Sequence, residues 1–184
     1  RDILTIKGLI RRGEARTASS YNNIPLDRVH FLDLPFYETG KIQKNPISEA
    51  DVEIVRNLLR EIKPHQIFVA GDLADPHGTH RVCTDAVFAA VDLEKEEGAK
   101  WLKDCRIWMY RGAWAEWEIE NIEMAVPISP EELRAKRNSI LKHQSQMESA
   151  PFLGNDERLF WQRSEDRNRG TATLYDQLGL ASYE

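Results

Sequence analysis

The stretch Gln66 to Val87, QIFVAGDLADPHGTHRVCTDAV, decides how this chain is read. Gln66 to Ala70 is short, apolar and β-branched, which predicts a buried strand. From about Thr79 the period changes. Val82, Ala86, Ala89, Ala90 and Leu93 recur at helical spacing, which predicts a helix over 79–93. Between the two lie Asp72, Asp75, His77 and His80, with Pro76 and Gly78 imposing an irregular backbone. His77 and His80 are two of only five histidines in the chain, so their closeness calls for a reason.

Working outward, Ile3, Ile6, Leu9, Ile10, Ala15 and Ala18 give a helix that stops at Tyr21-Asn22-Asn23. Val29 to Leu34 reads as a strand closed by Pro35, and Tyr37 to Pro46 as a loop. Ser48 is a good N-cap, with Asp51 a weaker stand-in for the capping-box Glu. The helix it opens carries Val52, Val55, Leu58, Leu59 and Ile62 and ends before Pro64. Downstream, the charged run Glu94 to Lys100 frays into a turn at Gly98. Arg106 to Tyr110 is a strand, and Trp114 to Val126 contains another. Ser129-Pro130-Glu131-Glu132 starts a helix that runs to about Met147, and a last helix covers Asp156 to Arg167.

Strands alternating with helices define an α/β protein, with a mainly parallel sheet covered on both faces. Ligands of such sheets sit beyond the carboxyl ends of the strands. The loops after Leu34 and Gly71 both open there. The 184 residues suit one domain. A net charge of −5 argues against nucleic acid or an anionic membrane as the main partner. No apolar run approaches the ~20 residues of a membrane span, and no secretory signal is visible. Cys83 and Cys105 read as reduced, half-buried thiols of a cytoplasmic protein. The start at Arg1, without methionine, reads as a fragment of a longer protein.

Imidazole binds zinc and serves as general acid or base near neutral pH. A helix N-terminus disfavours an added positive charge, which suits a neutral His80 in the first helical turn. The competing reading of an isolated H-x-x-H is a turn with two solvent-facing histidines. Zinc needs three or four ligands. His30 and His65 read as structural or exposed. His143, in KHQSQ, is the other histidine able to fold back to the site. The five tryptophans serve either core and subunit packing or stacking on a sugar ring. Trp114 and Trp117, just past a strand end, are the pair to test for substrate contact.

Four segments resemble the LmbE-like, or PIG-L-like, family of zinc-dependent N-deacetylases. RRGEARTASSYNNI (Arg11 to Ile24) is similar to the family's R-x-x-E helix. Val29 to Pro35 is similar to its F-L-x-x-P strand end. His77-Gly78-Thr79-His80 resembles H-x-D-H, with Thr79 in the Asp place. KRNSILKHQSQ (Lys136 to Gln146) resembles K-x-x-x-(apolar)-x-x-H-x-S-Q, with Glu157 and Phe160 on the E-x-x-F that follows.

The resemblance implies a Rossmann-like three-layer αβα fold that lacks its first strand, because the family's early P-H-P-D-D-E-type motif has no counterpart. It implies His80 as a zinc ligand and His77 as the catalytic histidine that polarises the amide or protonates the leaving amine. Arg11, His143 and Gln146 become substrate contacts, and Trp114, from its place past a strand end, is added to them as a candidate sugar contact. Phe36 stands where many members carry a substrate-binding Asp. The wording GDLADPHGTHRVC resembles a subgroup in which this single domain, here 1–184, follows a glucosamine-6-phosphate deaminase-like domain. The implied substrate is a small amino sugar of N-acetylglucosamine type, and a preceding domain could form a homo-oligomer. Zinc is expected in the full-length protein, with weak or no binding by an inactive fragment. The alternative is a non-catalytic accessory domain that has lost the metal. A chain lacking the first strand also exposes a sheet edge, which favours self-association.

Overall fold

The computed structural model describes residues 2–37, 44–71, 78–110, 117–147 and 158–179. It is a mixed α/β structure with five α-helices and two strands among those residues. They run α1 (Asp2–Tyr21), α2 (Glu49–Ile62), β1 (Gln66–Ala70), α3 (Thr79–Glu96), β2 (Arg106–Tyr110), α4 (Pro130–Ile140) and α5 (Phe160–Gln177). The chain divides into two compact units, Phe31–Glu116 and, flanking it in sequence, Arg1–His30 with Trp117–Glu184.

The central unit is built on β1, α3 and β2. The strands pair in parallel, Gln66 beside Arg106 through Ala70 beside Tyr110. Both therefore end on the same edge, and the Gly71 N–H extends the ladder by donating to the Tyr110 carbonyl at 2.9 Å. Side chains alternate along a strand. One face carries Ile67 and buried Val69. The other carries Phe68, Trp108 and Tyr110, of which Phe68 and Tyr110 are exposed. Val52, Val55 and Leu59 of α2 pack on Ala86 and Ala90 of α3, with Ile67 and Trp101 at the margin. Two fully buried alanines one turn apart let the helices approach closely. Each buried Val or Leu there contributes roughly 1.5–3 kcal/mol.

Polar bonds finish this unit. Ser48 and Asp51 form a full capping box. The α2 helix closes at Lys63, in left-handed conformation before Pro64. The charged run after Leu93 does not fray. Helix α3 continues to Glu96, and Glu94 is buried, accepting from the Nε groups of Arg56 and Arg60, each at 2.6 Å. The expected turn at Gly98 is present (φ 73°). The Ala99 N–H reaches the Glu94 carbonyl and the Gly98 N–H reaches that of Lys95, a Schellman closure.

Four expectations need correction. Val29 to Leu34 is not a strand: Asp33 sits at φ 50° and interrupts the extended run, while Leu32 and Leu34 still pack against the α2–α3 core. The described part of Trp114 to Val126, from Trp117 on, holds no strand. A single 3-10 turn spans Ile119–Asn121, and Met124 and Val126 are exposed rather than alternately buried. Helix α4 stops at Ile140, not Met147. Helix α5 begins at Phe160 and continues to Gln177, ten residues past Arg167. Cys105 is half-buried as expected, Cys83 is exposed rather than half-buried, and neither forms a disulfide. Among the described residues no helix is long and apolar enough to cross a membrane.

Candidate functional site

The carboxyl edge of the sheet is fixed from both sides. Gly78 caps α3 in left-handed conformation (φ 66°, ψ 4°), a geometry glycine adopts without strain. Its carbonyl accepts the Val82 N–H at 3.1 Å. Two turns into α3, buried Thr84 donates its hydroxyl to the Ala70 carbonyl at 2.9 Å. The end of β1 and the start of α3 are thus tied together, as the strand–loop–helix reading requires. His80 lies half-buried in the first turn of α3, where the sequence placed it. His77, Asp72, Asp75 and Trp114 lie outside the described residues. Trp117 is half-buried, and His30 and His65 are exposed.

The other unit assembles a second cluster. Glu14 of α1 accepts two bonds from Ser145, from its N–H at 2.6 Å and its hydroxyl at 2.7 Å. Burial pushes the Glu14 carboxyl up, but the two Ser145 bonds and the nearby charges of His143 and Arg11 hold it below its ordinary value. Arg11, Glu14, His143 and Ser145 are therefore neighbours, although 131 positions separate Glu14 from Ser145. Half-buried His143 is not on a helix. It caps the 3-10 turn Gln144–Gln146, and its carbonyl accepts the Gln146 N–H at 3.1 Å. Gln146 itself is exposed.

Past Ile140 the chain closes on tighter bonds, Lys142 N–H to the Ser139 carbonyl and His143 N–H to that of Ile140, and the α-helix does not resume. In a continuing helix the Ser145 N–H would bond the Leu141 carbonyl. Here that N–H goes to Glu14, and the Leu141 carbonyl takes the Gln144 amide instead. The same face of α1 bonds α4 through Asn22 to Ser139 at 2.7 Å and through Asn138 to the Tyr21 hydroxyl at 2.9 Å. Lys136, which opens the KRNSILKHQSQ segment, donates to Asn168 of α5 at 2.7 Å. Its ammonium is pushed down by burial and by Arg167. Arg137 next to it grips buried Glu165 with two bonds, at 2.5 and 2.7 Å.

Among the expected site residues, then, Arg11 and His143 come together, with Gln146 on the same turn. His80 belongs to the other unit. Ser145 and Glu14 are the pair that sequence reasoning quoted within motifs without assigning them a role. Their signal was the spacing itself, a carboxylate in R-x-x-E and a hydroxyl in H-x-S-Q. Phe36 is buried, and its N–H donates to Asp51 Oδ1 at 2.8 Å.

Among the described residues no three His, Cys, Asp or Glu side chains are grouped to hold a metal ion. His80 by itself supplies one nitrogen of the three or four ligands that zinc requires. No family model matches the chain, and no solved structure matches it.

Proposed function

We propose that the chain is part of an LmbE-like amide hydrolase, a zinc-dependent N-deacetylase acting on N-acetylglucosamine-type substrates in amino-sugar metabolism. In this reading it belongs to a longer protein of glucosamine-6-phosphate deaminase type, and the β1–β2 pair is part of a larger Rossmann-like three-layer sheet. The supporting observation is the two-point bond between Glu14 and Ser145. It joins the R-x-x-E and H-x-S-Q segments on which the resemblance rests, and it sets His143 and Arg11 beside each other's segment. His80 would be a metal ligand and His77 the acid that protonates the departing amine. Arg11, His143, Gln146 and Trp114 would contact the sugar. The zinc belongs to the full-length protein in this reading, and cytoplasmic placement goes with it.

One observation favours a second reading, a non-catalytic accessory domain. Phe36, in the place of the family's substrate-binding Asp, is a buried core residue rather than a polar wall. Metal analysis and deacetylation assays on the full-length protein separate the two. The first reading expects bound zinc, turnover of an N-acetylglucosamine derivative, and loss of both in His80→Ala. Full-length protein that neither binds added zinc nor releases acetate from any such derivative refutes it.

A further inference from the structure

Lys7, Arg11, Glu14, Ala18 and Asn22 follow one another along α1 and its end at spacings of four and three, which puts them within an arc of about 80° on one face. The last three are committed to the unit: Ala18 is buried, Asn22 bonds Ser139 and Glu14 bonds Ser145. The facing chain runs against α1, with Ser139 at Asn22 and Ser145 at Glu14. The next residue in that sense, exposed Gln146, comes to the level of Arg11. Lys7 and Arg11 extend the stripe past the Glu14–Ser145 bonds. They are like charges one turn apart, which costs helix stability rather than adding to it. Both are exposed, and among the described residues neither has an ion pair or a side-chain hydrogen bond. The carboxylate beside them already takes a Ser145 donor on each oxygen. Lys142, the nearest cation on the facing chain, is held over the Tyr21 ring at 5.0 Å. In a chain of net charge −5, this pair of uncommitted cations calls for a reason.

We propose that Lys7 and Arg11, with the Gln146 amide and the His143 imidazole on the turn beside them, bind the phosphate group of a small phosphomonoester. A guanidinium offers two parallel N–H donors to two phosphate oxygens, and an ammonium serves the third as a point charge. Gln146 and half-buried His143 border the same place and suit the hydroxyls next to the phosphate. The local balance is Lys7 and Arg11 against Glu14, a positive excess on an exposed surface where salt screens it, so the affinity is modest. Taken with the amino-sugar reading above, on which this last step rests, the substrate is a phosphorylated N-acetylamino sugar whose phosphate sits on Arg11.

Amide-resolved NMR titrations of the full chain test this with inorganic phosphate, N-acetylglucosamine 6-phosphate and N-acetylglucosamine. Phosphate should shift the Ser145 and Gln146 amides with a Kd of about 1 mM, and the sugar phosphate should bind about tenfold tighter than phosphate or the plain sugar. Arg11→Gln should weaken phosphate binding about tenfold and Lys7→Gln about threefold, with circular dichroism unchanged because both side chains are exposed. Arg11→Lys should recover part of the loss, since it keeps the charge without the paired donors. Lys103→Gln, an exposed cation of the other unit, should change nothing. No shift at Ser145 or Gln146 by about 20 mM phosphate, or binding indifferent to Arg11→Gln and Lys7→Gln, overturns the subsite whatever a deacetylation assay shows. Phosphate bound through Arg11 with no gain from the sugar upholds the subsite and overturns the amino-sugar assignment.

Discussion

Asp51→Asn should destabilise the central unit by more than its isosteric chemistry suggests. Asp51 has 0% of its surface exposed. Its Oδ1 accepts the Phe36 N–H at 2.8 Å, and its Oδ2 accepts the Ser48 N–H at 2.8 Å and the Ser48 hydroxyl. An amide keeps one acceptor only. Whichever way it turns, its NH2 group faces one of those two backbone donors. A buried donor left unsatisfied costs about 1–3 kcal/mol. The surviving acceptor also loses its charge assistance, and where the NH2 takes the Oδ2 place the capping box loses one half. We expect about 2–3 kcal/mol in all, read as a lower urea midpoint at unchanged m.

The pH dependence is a second readout of the same carboxylate. Burial pushes the Asp51 carboxyl up, but the bonds from Ser48 and Phe36 outweigh it and hold the carboxyl below its ordinary value. A depressed folded value means the contribution is fully present above the unfolded pKa, near 4, and is lost as pH falls through the lower folded value. The gap between wild type and Asp51→Asn should therefore be full at pH 7 and close below about pH 4. Amide exchange at Phe36 should rise in the variant at neutral pH. A gap under about 0.5 kcal/mol at pH 7, or one that does not narrow in acid, would falsify the assignment.

Glu94→Ala should cost about 2 kcal/mol in urea denaturation, less than a fully buried pair, because half-exposed Glu97 still serves Arg56 and Arg60. An unaltered midpoint would show the cluster to be decorative. Thr84→Val removes the tie to the Ala70 carbonyl and should cost about 1 kcal/mol. Hydrogen exchange should then rise first at the start of α3, and global loosening instead would contradict the local role. Gly78→Ala meets no steric obstacle, so its cost of about 1 kcal/mol is backbone strain alone. Gly78→Asn should be milder, and equal costs for the two would refute that account.

Much of the central unit was legible in the chain. Both described strands match the expected bounds, and the capping signals at Ser48 and Ser129 mark the true starts of α2 and α4. These features are local: alternation, helical period and caps are set by neighbours within a few residues. The errors share another cause. Val29 to Leu34 has strand-like residues, but strand formation needs a ladder partner, and Asp33 turns out of the extended region. KRNSILKHQSQ has a helical composition, yet its last turn gives a backbone N–H to Glu14.

The sequence by itself determined the parallel β1–α3–β2 frame, the irregular entry to α3 at Gly78 and the position of His80 in its first turn. Only the tertiary structure decided that Glu14 and Ser145 meet, that Asp51 also holds the Phe36 backbone, and that Glu94 is a buried ion-pair partner rather than a frayed end. The physical reason is the range of the forces. Backbone preferences and caps act within one turn of chain. A buried carboxylate finds its partners wherever folding brings donors within hydrogen-bonding distance, which no local pattern records.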